Sequence, residues 1–178
     1  MLLTGDRGWL ARAPHPVIAE GTLRVRGVRG HEEGAVLALL AAAGLSGTGL
    51  ARYRHSTLVL ERYDLTDGGG LLGCVVVEPG APALVRSLAT VPRVGERGHA
   101  LLLDAALTLA RRLGSAAVVM LLETAAQIPL QRLEAVGWDT LCACCPSSAL
   151  VRELRTFAPQ ALAVRLALSP VPSPLSLH

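Results

Sequence analysis

Residues 84–114 constrain the fold more than any other segment, because they predict a strand, a turn and a long helix in direct succession. A short apolar run is followed by a proline and two glycines. The helical part then shows apolar residues at helical spacing: Leu101, Leu102, Ala105, Leu109 and Leu113. Arg111 and Arg112 stand in the expected last turn, and Gly114 stands where the helix should stop.

The turn before this helix is a candidate binding site for an anion. A helix that starts near Gly95 presents backbone N–H groups and the positive end of its dipole over residues 95–100. A phosphate group fits such a place. Glycines also occur in strand-to-helix turns for steric reasons alone, so this pattern by itself leaves both interpretations open.

The remaining elements predict a mixed sheet with helices packed on it. Apolar runs predict strands at 22–28, 56–61, 70–78, 83–90 and 116–122, and an alanine- and leucine-rich run predicts a helix at 31–43. The helical crossover predicts that the last two strands pair in parallel. A helix at 124–136 and a strand at 142–152 complete the prediction. We expect an α/β (α+β) fold with a mixed, mostly antiparallel sheet, flanking helices and a parallel central strand pair.

The length of 178 residues predicts one domain. We place it at 22–155, after an unassigned lead-in at 1–21. The remainder, 156–178, is a C-terminal tail whose proline- and serine-rich end we expect to be disordered.

Composition excludes several functional classes. All 17 basic residues are arginines, which rules out a P-loop lysine and a lysine Schiff base. The net charge of +3 is modest and the arginines are scattered, so nucleic acid is not an expected partner. The longest apolar stretch, 35–45, is too short to span a membrane. Asp6 and Arg7 stand where a signal peptide would carry its apolar region. We therefore expect a cytoplasmic protein with no membrane partner.

The turn at 95–100 resembles the acetyl-CoA loop of the GNAT acetyltransferase superfamily. That loop reads Gln or Arg, any two residues, Gly, any residue, then Gly or Ala; Gly98 and Ala100 match its end, whereas Gly95 stands at its first position. Arg93 and Arg97 lie close by. The resemblance implies a GNAT-like fold and acetyl-CoA as cosubstrate. The implied cofactor-binding residues are Leu88, Thr90, Val91, Gly95, Glu96, Arg97, Gly98, His99 and Ala100.

Within that superfamily, the chain resembles most closely the arsenic-resistance N-acetyltransferases. The matching segments are LVRSLATVP at 84–92, LLETAA at 121–126, CPSSA at 145–149 and the pair Gly73-Cys74. This resemblance implies acetyl transfer to the amine of a small, anionic metabolite or toxin, with a link to arsenic resistance. The family's tyrosine is missing around Leu133, which leaves open an acyl-CoA-binding relative of impaired catalysis with a regulatory role.

Three residues are candidates for contact with the substrate. Glu123 lies at the carboxyl end of a predicted strand and can act as the base; a solvated strand-end carboxylate is the equal alternative. Thr124 follows it, on the side where we expect the substrate. Arg86 interrupts an apolar strand, and a buried arginine is costly unless it is paired. Either an internal carboxylate satisfies it, or it lines a cleft and binds an anionic substrate group; matching the family's arginine favours the cleft.

Three of the four cysteines cluster at Cys142, Cys144 and Cys145. They raise the alternative of a thiol-based arsenite or metal binder. In an extended strand, however, the first two point one way and the third the other, so small buried apolar residues are the favoured interpretation. We therefore expect no metal site. The expected partner is a small-molecule amine substrate, and a homodimer remains open.

Overall fold

The computed structural model of the protein describes residues 18–20, 23–62, 70–122, 139–140 and 162–168. These residues form eight strands: β1 (Ile18–Glu20), β2 (Leu23–Gly27), β3 (Thr57–Arg62), β4 (Gly73–Glu78), β5 (Ala83–Thr90), β6 (Ala117–Leu122), β7 (Asp139–Thr140) and β8 (Leu162–Ala167). Two α-helices accompany them, α1 (Glu33–Ala42) and α2 (Gly95–Arg112). No helix in the described ranges has the length and apolar character that crossing a membrane requires.

The strands form one sheet in the order β1-β2-β3-β4-β5-β6-β8-β7. Every neighbouring pair is antiparallel except β5 and β6, which are parallel and joined by α2. A strand, a helix and a returning parallel strand give the crossover that the sequence predicts. The expected fold class, a mostly antiparallel mixed sheet with a parallel central pair, is confirmed.

Two cores cover the two faces of the sheet. Alternate residues of β4 divide between them: Val75 and Val77 pack in the α2 core, whereas Cys74 and Val76 pack in the α1 core. The α2 core is the larger, and α2 contributes to it Leu101, Leu102, Ala105, Ala106, Leu109 and Ala110. Each fully buried leucine contributes roughly 2 kcal/mol. Burial of this face therefore fixes the position of α2 against the sheet.

The predicted stop of α2 at Gly114 is confirmed, and Gly44 ends α1 in the same way. Gly114 has φ 82° and Gly44 has φ 71°, a left-handed conformation that glycine adopts at little cost. After each glycine the chain folds back on its helix, because Ser115 N–H donates to the Ala110 carbonyl and Leu45 N–H to that of Leu40. The stop at Gly114 sets the length of α2 and therefore the point at which the chain turns back into β6.

The sheet extends beyond both limits of the predicted domain at 22–155. Strand β1 lies in the unassigned lead-in, and it is too short to show a period in the sequence. Strand β8 lies in the predicted tail, where ALAVRLAL gives an ambiguous pattern, yet it pairs with β6 along its whole length. The predicted helix at 124–136 and strand at 142–152 lie outside the described residues.

Candidate functional site

Strands β5 and β6 separate partway along their length. Their parallel register runs from Ala83 opposite Val118 to Val85 opposite Met120, and there it ends. Beyond this point β5 continues to Thr90, paired with β4 on its other side, and β6 continues to Leu122. We call the resulting space between residues 86–90 and 121–122 the β5–β6 gap. On this side of β5, pairing with a described strand ends at Val85.

A bulge in β5 lies where the gap begins. The β4–β5 register shifts between Cys74 and Val76, and on the β5 side Ser87 has φ 55°. This left-handed conformation costs a non-glycine residue about 1 kcal/mol or more. The Ser87 hydroxyl donates to the Ser46 carbonyl at 3.3 Å, which anchors the bulge to the segment after α1. Because a bulge bends and twists its strand, it accounts for the divergence of β5 from β6.

The amino end of α2 lies at the open end of the gap. The chain leaves β5 through a 3-10 turn, Pro92–Val94, and enters the helix at Gly95 with φ 53°. The residue at the N-cap position, Val94, has no polar side chain to cap the helix. The first turn and the helix dipole therefore present a positive end to a ligand. The sequence predicts available amides over residues 95–100. In a helix that begins at Gly95, however, the amides of His99 and Ala100 point to the carbonyls four residues back and are not available to a ligand.

Glycine is needed at positions 95 and 98 for different structural reasons. A Cβ at Gly98 would lie 2.7 Å from Val94 Cγ2 and 3.0 Å from Leu60 Cδ2, so glycine there permits close packing of α2 on β3. A Cβ at Gly95 would meet nothing within 4 Å, and only its positive φ requires glycine. The steric interpretation thus holds for Gly98, and the turn into the helix depends on Gly95.

His99 ties the first turn of α2 to the end of β5. Its Nδ1 lies 3.1 Å from the Gly95 carbonyl oxygen, which can only accept, so Nδ1 carries the proton. The Thr90 hydroxyl lies 3.3 Å from both ring nitrogens. The half-buried ring thereby connects Thr90 at the end of β5 with Gly95 at the start of α2. Both residues are predicted to bind the cofactor.

Arg86 lies at the start of the gap and contacts the segment that follows α1. Its Nη2 donates to the Thr48 carbonyl, and its guanidinium lies 5.5 Å from the centre of the Tyr53 ring. Glu78 Oε2 lies 3.7 Å from Nη1, within ion-pair distance. The sequence left two alternatives for Arg86, pairing with an internal carboxylate or lining a cleft, and each has support. A carboxylate lies nearby, but 23% of the arginine side chain remains exposed.

The Tyr53 hydroxyl donates to Glu78 Oε1 at 2.6 Å. Partial burial, and after it this hydrogen bond to a carboxylate, raise the pKa of Tyr53, so the phenol stays protonated at neutral pH. On the same face of the sheet, burial raises the pKa of Cys74 to about 12. Cys74 therefore does not supply a thiolate near the gap.

The structure places all nine predicted cofactor residues on two adjoining elements: Leu88, Thr90 and Val91 along or just beyond the gap edge, and Gly95 to Ala100 in the first turns of α2. Arg86 joins them at the base of the gap. Glu123 and Thr124 directly follow β6 but lie outside the described residues, as do Cys142, Cys144 and Cys145.

Sequence reasoning missed Tyr53 and Glu78 as site residues. A signal for Glu78 was present, because Pro79 to Pro82 break the chain between two strands and so predict a hairpin. In the structure Glu78 is opposite Leu84, two residues from Arg86, and such diagonal neighbours are within reach of long side chains. For Tyr53 no comparable signal exists, since its position depends on the path of an irregular segment.

No family model and no curated protein sequence matches the chain. Its structure is similar to N-acetylglutamate synthase from Neisseria gonorrhoeae complexed with coenzyme A and N-acetyl-glutamate, at 17% identity and a TM-score of 0.68, covering 85% of this chain and 36% of that one. It is similar to Rv2747 from Mycobacterium tuberculosis in complex with CoA, at 18% identity and a TM-score of 0.64, covering 82% and 99%. A GNAT-family acetyltransferase from Staphylococcus aureus gives 7% identity, a TM-score of 0.58, and coverage of 83% and 99%.

These similarities, with the strand order and the β5–β6 gap, define the fold as that of the GNAT acetyltransferases. The chain spans about a third of the N. gonorrhoeae synthase and nearly the full length of the other two proteins. At these identities the comparison establishes the fold and does not extend to a substrate.

Proposed function

We propose that the protein is an acetyl-CoA-dependent N-acetyltransferase that acts on the amine of a small, anionic metabolite or toxin. The observation that carries this proposal is the β5–β6 gap, which opens toward the positive amino end of α2, where the N-cap residue Val94 supplies no side-chain cap. An opening lined by strand backbone, next to a site for anions, suits a ligand with amide groups at one end and phosphates at the other.

The residues present fit acetyl-CoA. Leu88 and Thr90 lie on β5 beyond the end of its pairing with β6, and an extended pantetheine can run alongside this part of the strand. The first turn of α2 and the exposed side chains of Arg93 and Arg97 provide positive charge for the phosphates. When bound, acetyl-CoA supplies an acetyl group activated as a thioester. Solved structures of similar fold include complexes with coenzyme A, which supports the assignment.

The chain's own groups would act on the acceptor. Arg86, partly exposed at the base of the gap, would hold the acceptor's anionic group. Glu123, directly after β6, would take a proton from the acceptor's ammonium, directly or through water, because only a neutral amine is nucleophilic. Backbone N–H groups on the β5 edge would stabilise negative charge that develops on the carbonyl oxygen. A role in arsenic resistance and a cytoplasmic location remain part of the proposal and rest on sequence alone.

The test is a calorimetric titration of acetyl-CoA into three proteins: wild type, Gly95→Ala and Gly114→Ala. Both glycines have positive φ and open space where a methyl group would stand. Alanine should cost about 1 kcal/mol of backbone strain at Gly114 and about 1–3 kcal/mol at Gly95, whose ψ of −149° lies in a region that only glycine favours. Only Gly95 lies at the proposed phosphate site. We expect saturable binding by wild type and Gly114→Ala, and affinity lower by about fivefold or more in Gly95→Ala.

Absence of saturable binding by folded wild-type protein would remove the proposal. Equal affinity in the three proteins would move the phosphate site away from α2. Binding of acetyl-CoA without acetyl transfer to any of a panel of anionic amines would favour the alternative function, a regulatory acyl-CoA-binding protein of impaired catalysis.

A further inference from the structure

We infer that Tyr53 is a positioning residue for acceptor specificity: its hydroxyl holds the Glu78 carboxylate away from Arg86 and so keeps the guanidinium available for an oxyanion on the acceptor. This inference rests on the proposed function and specifies how the same site selects its substrate class.

The first step is the unequal sharing of Glu78. Its Oε1 accepts a short hydrogen bond of 2.6 Å from the Tyr53 hydroxyl. Its Oε2 stands 3.7 Å from Arg86 Nη1, which is beyond hydrogen-bond distance. A carboxylate and a guanidinium free to approach would form paired bonds of about 2.8 Å. The tyrosine therefore keeps Glu78 from closing on Arg86.

The second step is the hydrogen-bonding capacity left on Arg86. A guanidinium has five N–H donors. Here Nη2 donates to the Thr48 carbonyl, whereas the buried Nε has no hydrogen-bond partner among the described residues. The Tyr53 ring, 5.5 Å from the guanidinium carbon, orients the group without neutralising it. Arg86 thus has donors that no described residue uses, in a side chain that stays partly exposed.

The third step is the ligand that this arrangement fits. Arginine binds carboxylates and phosphate-like groups through two parallel N–H bonds, and such a group would replace the distant Glu78 as the main partner. If the Tyr53 hydroxyl were removed, Glu78 would be released to pair with Arg86 and would compete with the acceptor. The device therefore selects amines that carry an oxyanion over uncharged amines of the same size.

The experiment follows the Arg86 Nε–H signal by NMR in protein saturated with coenzyme A, with the signal assigned through Arg86→Lys. The probes are 4-aminobutyrate and its uncharged counterpart 4-aminobutyramide. We expect a saturable shift with the carboxylate and none with the amide. In Tyr53→Phe, which keeps the ring and loses only the hydroxyl, affinity for the carboxylate should fall by about fivefold, the usual scale of an exposed charge pair.

A double-mutant cycle separates this role from a structural one. If Tyr53 acts through the charge of Glu78, then Glu78→Gln should bind the carboxylate at least as well as wild type, and Tyr53→Phe should have no effect in the Glu78→Gln background. Loss of affinity in that background, equal binding by wild type and Tyr53→Phe, or no shift in wild type would each overturn the inference. Calorimetry with coenzyme A on the same samples shows separately whether the proposed function fails.

Discussion

Gly44 and Gly49 have the same backbone requirement and different surroundings. Both adopt positive φ, 71° and 82°, in the segment that connects α1 to β3. A Cβ at Gly44 would meet nothing within 4 Å. At Gly49 it would lie 2.6 Å from Nη2 of Arg86, the atom that donates to the Thr48 carbonyl. Because that atom is the end of a flexible side chain, it can move away. A methyl group at Gly49 would therefore change the position of the Arg86 guanidinium in the site.

We therefore predict that Gly44→Ala and Gly49→Ala lose similar stability, about 1 kcal/mol each from backbone strain, as measured by urea unfolding. Only Gly49→Ala should displace Arg86 and raise the KM for an anionic acceptor, with acetyl-CoA binding unchanged. A much larger loss of stability in Gly49→Ala would show that Arg86 is fixed. An unchanged KM would separate Arg86 from the acceptor.

At the scale of the elements, the sequence predicts those whose pattern is local. Helix α2 carries its own stop signal and apolar face, and β6 is a continuous apolar run, so both lie where they are predicted. Strand β8 depends on pairing with β6 for its identity, and its own eight-residue pattern does not distinguish strand from helix. Long-range pairing therefore determines what local pattern leaves ambiguous.

The same distinction applies to the site. Gly95 and Gly98 are visible in the sequence because the turn into α2 is a local structure. The Tyr53, Glu78 and Arg86 cluster joins residues up to 33 positions apart, across a hairpin and an irregular segment, so only the folded chain brings them together. Ser87 is equally hidden, since its left-handed φ arises from the bulge against β4 and serine gives no sign of it.

The packing of α2 on β3 predicts that alanine at Gly98 lowers the stability of the fold, whereas the control substitution, at Gly34, raises it. Gly98→Ala places a methyl group against Val94 and Leu60 and should destabilise the fold by about 1–3 kcal/mol, as overpacked cores do. Gly34→Ala, in α1 with open space around it, should stabilise by up to about 1 kcal/mol because alanine favours helix. Chemical denaturation measures both. Stabilisation by Gly98→Ala would mean that Val94 and Leu60 make room for the methyl group.

At the scale of the whole molecule, one ion-pair network joins the start of α1 to strands β2 and β3 of the sheet. Arg26 on β2 donates to Glu32 before α1 through two bonds, of 2.6 and 2.8 Å. It also donates to Glu61 on β3 at 2.8 Å, and Arg24 completes the pairing with Glu61. Because the groups are largely buried, each depends on its partners to offset lost hydration. The network therefore couples the attachment of α1 to pH.

The direction of that pH dependence follows from Glu32. Its hydrogen bonds from Arg26 lower its pKa from 4.5 to about 2, against the opposing effect of burial. The pKa of Glu61 is also lowered, by hydrogen bonds from Arg26 and Arg24 that outweigh its burial. Between pH 4.5 and about 2 the unfolded chain thus binds protons that the folded chain does not. The stability contributed by these groups is present above pH 4.5 and is lost as pH falls through this range.

We expect the free energy of unfolding, measured by urea titration at a series of pH values, to fall steeply over that window in wild type and less steeply in Glu32→Gln. Glu33→Gln is the matched control, because this neighbouring carboxylate is not part of the network and its loss should leave the slope nearly as in wild type. Equal slopes in all three proteins would mean that Arg26 does not hold Glu32 ionised. A shallower slope in Glu32→Gln alone would show that ionised Glu32, which joins the start of α1 to Arg26 on β2, supplies part of the stability that is lost in acid.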